Sequence, residues 1–189
     1  MDVFQAIKER RSVRKYKPDP LSDEAVTAVL EAARWAPSWS NTQCWRFIVV
    51  RDPETKKKLA DALTDLAHGV ENPSAGAIRN APVVIVACAV LGKSGYYKNE
   101  ASTDKGDWFM FDVALAMQNL TLAAHAAGLG TVHIGLFDAR EMAGILGVPE
   151  GVVVVELTPL GYPDEVPGTI PRKELADIVS RDSFGKKWL

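Results

Sequence analysis

An apolar run of 11 residues, Ala81 to Leu91, constrains the fold more than any other feature. Valine and isoleucine dominate it, and it lacks the alternation of a strand with one wet face. It therefore reads as a strand buried on both sides at the centre of a sheet. It also falls well short of the ~20 residues needed to cross a bilayer, so a soluble protein is expected. Covering both faces of such a strand takes helices, and 189 residues with 47% apolar content are enough to supply them around one core.

The flanking pattern supplies those elements. Val3, Phe4 and Ile7 predict a short amphipathic helix over Asp2 to Glu9. Ser22 is a good N-cap for a helix carrying Val26, Val29, Leu30 and Ala33, which should stop before Pro37. Arg46 to Arg51 reads as a strand, and Asp52 with Pro53 opens a helix with a Leu59, Leu63, Leu66 stripe. Residues 92 to 106, rich in Gly, Ser, Lys and Asn, read as a mobile surface loop. Asp107 to about Ala127 is the longest helix, ended by Gly128. A short strand near Gly130 to Ile134 leads to a capping box at Asp138 and Glu141, and Gly151 to Leu160 is a further strand. Leu175, Ile178 and Val179 predict a last helical turn or two in the tail.

Charge narrows function. Lys and Arg number 22 against 24 Asp and Glu, a formal net charge of −2, which excludes a surface given over to nucleic acid. Yet residues 8 to 17 hold six cations (Lys8, Arg10, Arg11, Arg14, Lys15, Lys17) against one anion, Glu9. Guanidiniums grip phosphate oxygens as a fork and the Ser12 hydroxyl adds an uncharged donor, so a terminal phosphate fits; a solvated basic face is the plainer alternative. Ala36 to Phe47 is dense in amides, hydroxyls and indoles, suited to the edge and face of a heteroaromatic ring or, equally, to a polar turn with its tryptophans packed inward.

Other chemistries fail. Gly128 to Gly135 has His133 where a dinucleotide fingerprint needs glycine, and here the glycines follow a helix instead of a strand. His68, His125 and His133 lack ligand spacing, so no metal is expected. Cys44 and Cys88 are too few for a disulfide framework; they and the absence of a signal-like segment point to a reducing cytoplasm. No protein nucleophile or catalytic acid or base is assigned.

Taken in order, Arg10-Arg11-Ser12-Val13-Arg14, Ala36-Pro37-Ser38-Trp39-Ser40-Asn41-Thr42-Gln43, the Gly128-Leu129-Gly130 segment, Leu160-Gly161-Tyr162-Pro163 and Pro171-Arg172-Lys173 resemble the flavin-mononucleotide-dependent nitroreductase family across essentially the whole chain. The resemblance implies a single domain over residues 1–189. Its fold would be an α+β three-layer sandwich, a central mixed β-sheet flanked by helices, in an intertwined homodimer with FMN at the subunit interface. Arg10, Arg11, Ser12, Arg172 and Lys173 would hold the phosphate, and Arg14 would approach the pyrimidine edge. Ser38, Ser40 and Asn41 would come from the partner subunit, supported by Gln43. The backbone of Ile134, Gly135 and Leu136 would lie near flavin N5, with His133 and Gln118 either lining the pocket or packing behind it.

The implied activity is hydride transfer from NADH or NADPH through flavin to a small flat acceptor, nitroaromatic or quinone-like, in a ping-pong cycle. Tyr96, Tyr97 and Trp108 are the candidate acceptor contacts. No nucleic acid or membrane partner is expected. A flavin-binding carrier, sensor or flavin-modifying protein is the rival reading. Two departures stand out: Cys44 follows Gln43 where relatives commonly have proline, and Ile134 replaces an acidic residue of some branches.

Overall fold

The structure is a computed structural model that describes residues 1–63 and 72–188. Leu66 and His68 lie outside the described residues. Seven α-helices are described, besides a 3-10 turn at Trp39–Asn41: α1 (Val3–Glu9), α2 (Asp23–Arg34), α3 (Pro53–Asp61), α4 (Ala75–Asn80), α5 (Phe109–Ala126), α6 (Ala139–Leu146) and α7 (Leu175–Ile178). The strands are β1 (Trp45–Val50), β2 (Val83–Val90), β3 (Tyr96–Tyr97), β4 (Glu100–Ala101), β5 (Gly130–Thr131) and β6 (Val152–Gly161).

β2 is central, as its composition requires, in a sheet ordered β1-β2-β6-β5 whose named strands all pair antiparallel. The sheet is thus antiparallel where the resemblance implies a mixed one; a lone parallel bridge joins Ser12, outside the named strands, to Thr131 at the β5 edge. Along β2, Val83, Ile85, Ala87 and Ala89 face a core built with α2 and α5, whereas Val84, Val86 and Cys88 face one built with α3, α4 and α6. Helices thus cover both sides, and the result is an α+β three-layer sandwich. No described helix is long and apolar enough to cross a membrane.

The helix starts follow the expected chemistry: the side chains of Asp2, Ser22, Asp52 and Asp138 each accept a backbone N–H of the first turn. Asp138 takes the amides of Arg140 and Glu141, its half of the box. Gly128, at φ 76°, turns the chain after α5 so that Leu129 N–H reaches Ala124 O at 2.8 Å.

Three local readings differ from the sequence pattern. Residues 92–106 form a small β3–β4 hairpin, because Gly95 and the positive-φ pair Lys98-Asn99 close a turn there. The apolar residues of α1 do not enter the core: Val3, Phe4 and Ile7 are 60%, 74% and 53% exposed, and only Ala6 is buried. The predicted strand Gly130 to Ile134 is cut to β5, with Ile134 rejoining β6 through a lone bridge to Leu157.

Candidate functional site

The cationic segment begins where α1 ends. Val13 N–H donates to Thr131 O, and the Tyr16 hydroxyl, buried, donates to Val13 O at 2.5 Å. The tail then clamps the segment from outside. Lys17 N–H donates to Tyr162 O, Asp164 N–H to Lys15 O, and the Glu165 carboxylate accepts the amides of Arg14 (2.6 Å) and Lys15 (3.1 Å). Arg11 reaches Thr169 Oγ1 at 3.3 Å.

This clamp borders a cavity of about 370 Å³ in which Arg10, Arg11, Ser12, Arg14 and Arg172 converge and which no carboxylate among the described residues lines. Burial, then the like charges of Arg172 and Arg11, push the Arg10 guanidinium below its ordinary pKa. Among the described residues the Arg10 side chain has no hydrogen-bond partner. A neighbouring cavity of about 510 Å³ shares Arg10 and Arg11, includes the Glu9 and Glu165 carboxylates, and extends to His125, whose buried Nε2 also lacks a partner among the described residues. Lys173 is exposed and outside both linings.

Ile134, Gly135 and Leu136 continue from β5, so they lie along the sheet edge that the cationic segment pairs with. Asn72, which the sequence reading missed, pins them: its Nδ2 donates to Leu136 O at 3.1 Å while its Oδ1 accepts Ser74 N–H. His133 Nδ1 is 2.8 Å from Glu156 Oε1, which also accepts the Thr158 hydroxyl. The carboxylate can only accept from the ring, which places the imidazole proton on Nδ1.

The remaining residues form a second group elsewhere. Ser38, Ser40, Asn41 and Gln43 lie on the loop before β1, fastened to Asp112 in the first turns of α5, because Trp39 N–H donates to Asp112 Oδ1 at 3.0 Å. Trp108 joins them, its ring 5.3 Å from that of Trp39, and its indole N–H is tied to Thr103 of the hairpin. Tyr97 is 70% exposed and Tyr96 half-buried on that hairpin. Asp112 and His125 are 13 residues apart on α5, so the two groups stand ~20 Å apart along its axis. Within one chain they do not meet.

A model of the "Nitroreductase family" matches residues 7–162, a span that holds the cationic segment, the loop and both ends of α5. The chain belongs to the nitroreductase family. Among its relatives, a Thermus thermophilus protein named NADH dehydrogenase is 31% identical over 190 residues, covering 87% of this chain and 88% of its own. A Bacillus subtilis protein named FMN reductase [NAD(P)H] is 29% identical over 194 residues, covering 97% and 74%. In structure, the NADPH:FMN oxidoreductase from Vibrio harveyi complexed with NAD+ superimposes with a TM-score of 0.79 at 25% identity, over 97% of this chain and 78% of that one.

The side chain of Cys44 takes part in the second group. The Cys44 thiol lies 3.7 Å from Asp112 Oδ2. Burial, with the nearby Asp112 charge, pushes that thiol up to about 12. Such a group stays protonated and donates.

Proposed function

We propose that the chain is an NAD(P)H-dependent flavin oxidoreductase that carries FMN in a homodimer and passes electrons to a small flat acceptor, nitroaromatic or quinone-like. The observation that carries this reading is the guanidinium cluster of Arg10, Arg11 and Arg172, which makes no ion pair among the described residues and is assembled from both ends of the chain. A phosphate dianion is the group that such a cluster fits: the Arg10 guanidinium offers paired donors with no partner among the described residues, Arg11 and Arg172 add positive charge while donating to nearby carbonyls and Thr169, and the dianion relieves their repulsion. FMN ends in one. Relatives named FMN reductase and NADPH-flavin oxidoreductase support the same cofactor.

In this reading Arg10, Arg11, Ser12 and Arg172 hold the phosphate, with Lys173 adjoining, and Arg14 approaches the ring. Beside it the Gly135 and Leu136 amides would donate to the ring, whereas the Ile134 amide and carbonyl are taken by Leu157 and the Leu136 carbonyl by Asn72. FMN, when bound, supplies hydride acceptance and donation for the two half-reactions. Arg14 offers positive charge where negative charge develops on reduction, and solvent supplies protons, so no protein acid or base is required.

Ser38, Ser40 and Asn41, with Gln43, serve the site of the other protomer. Their ~20 Å separation from the cluster along α5 supports a site divided between two chains. So do the exposed Val3, Phe4 and Ile7 of α1 and the exposed Val166, Ile170, Leu175 and Ile178 of the tail, apolar surface that a partner would cover. Tyr96, Tyr97 and Trp108 would then border the acceptor pocket, which nicotinamide and acceptor occupy in turn, a ping-pong order. With both cysteines free and buried, a reducing cytoplasm suits the protein.

The test is spectroscopic and kinetic. The purified protein is expected to be yellow, to hold FMN in proportion to chain, and to oxidise NADH or NADPH when given a nitroaromatic or quinone. Colourless protein that cannot be reconstituted with FMN would sink the proposal. Tight flavin binding without nicotinamide oxidation would shift it to a flavin carrier.

A further inference from the structure

Asp112 is fully buried in α5, and no Lys, Arg or His pairs with it among the described residues. A carboxylate in that position is costly unless its oxygens are satisfied. Among the described residues every donor comes from one loop: Trp39 N–H at 3.0 Å, the Thr42 hydroxyl at 3.4 Å and the Cys44 thiol at 3.7 Å. The Trp39 and Trp108 rings, 5.3 Å apart, pack beside these contacts.

The loop needs such an anchor. Ser40, Asn41 and Gln43 have φ of 43°, 57° and 47°, a left-handed region that residues with side chains disfavour. Local bonds tie the loop to itself: Gln43 N–H donates to Ser38 Oγ at 3.0 Å and Gln43 Nε2 to Asn41 Oδ1 at 3.1 Å. Among the described residues, the Asp112 contacts are the hydrogen bonds that tie the segment from Trp39 to Cys44 to the helix beneath it, beside the Trp39–Trp108 packing and the burial of Cys44. The outcome is that Ser40, Asn41 and Gln43 stand exposed while Cys44 and Trp45 are buried.

We propose that Asp112 is a positioning residue whose buried carboxylate holds the Ser38–Gln43 loop in its strained, outward-facing conformation, so that Ser38, Ser40 and Asn41 meet the flavin bound by the neighbouring protomer. This rests on the two-chain reading of the site given above. Asp112 touches neither flavin nor substrate; it acts through the Trp39 amide and the Thr42 and Cys44 side chains. Asparagine in its place keeps the size and one acceptor oxygen, enough for the Trp39 amide, but turns an N–H₂ toward donors that the carboxylate accepted.

The experiment measures FMN dissociation constants of Asp112→Ala and Asp112→Asn at a temperature where each is folded by circular dichroism, with amide exchange at Trp39 and Gln43 as a second readout. Asp112→Ala is expected to weaken FMN binding by ~10-fold or more, the scale of a lost charge-assisted hydrogen bond, and to speed exchange at both amides. Asp112→Asn should recover part of both. A folded Asp112→Ala protein with unchanged FMN affinity and exchange would overturn the role, leaving Asp112 to stability alone. If Asp112→Ala does not fold, Asp112→Asn decides: faster exchange with weaker binding supports the role, and wild-type behaviour in both overturns it. Wild-type protein that takes up no FMN would instead overturn the reading of the site, so the two failures are distinguishable.

Discussion

The two ends of α5 hold polar groups out of the same core by opposite means. Beyond its C-terminal end, guanidiniums crowd together with no ion pair to a carboxylate among the described residues, although Glu9 and Glu165 line the adjoining cavity, and Arg10 has lost some of its ordinary basicity. Under its N-terminal turns a carboxylate is buried without a cation, and its lone pairs are filled by a strained loop. The first end is electrostatically incomplete and calls for an anion from outside; the second is complete and stores its cost as backbone strain. A charge left unmet marks where something binds, whereas a charge met internally marks what must be held still.

The contrast breaks most visibly through the cations. The double variant Arg10→Ala, Arg172→Ala should lose FMN affinity by ~100-fold or more at low salt, given about 1.5–3 kcal/mol for each charged hydrogen bond, with the loss shrinking as salt rises. Titration by flavin fluorescence checks it, and unchanged affinity would remove both residues from the site. Next comes Gly130→Ala. A Cβ there would lie 2.8 Å from Val13 Cβ, so the variant must push the cationic segment off β5. The expected cost is about 1–3 kcal/mol of stability together with weaker FMN binding, read by thermal melts and titration.

Ser22→Ala sharpens the comparison from outside both regions. Losing the α2 cap should cost ~1 kcal/mol in chemical denaturation and leave flavin affinity untouched. Smallest at neutral pH is the thiol effect. Burial raises Cys44 from 9.0 to about 12 and Cys88 to about 11. Both folded values lie above the unfolded one, so this contribution to stability is full below pH 9 and fades as pH climbs toward 11 and 12. Native protein at pH 8 should resist iodoacetamide, and rapid labelling of Cys44 would contradict its hydrogen-bonded state.

Legibility in the sequence followed the same divide. The central strand, the helix caps and the Arg10–Lys17 cluster were readable because period, cap chemistry and charge density are local properties. Asp112, Glu165 and Asn72 were not, because each acts on a partner far away in sequence: Trp39 and Asp112 are 73 positions apart, Arg14 and Glu165 151. A lone Asp inside an apolar helix gave one signal, unused: a buried charge needs donors. The outward turn of α1 was equally hidden, since periodicity shows that Val3, Phe4 and Ile7 share a face but not whether that face meets its own core or another chain.

Subunit exchange between complementary variants tests the divided site most directly. One chain carries Arg10→Ala with Arg172→Ala, the other Ser40→Ala with Asn41→Ala, and each alone should bind FMN poorly. If every site combines the cluster of one protomer with the loop of its partner, mixed dimers regain one intact site, and flavin binding returns on mixing. Mixed dimers that form, as verified by mass, yet recover no flavin binding would contradict it.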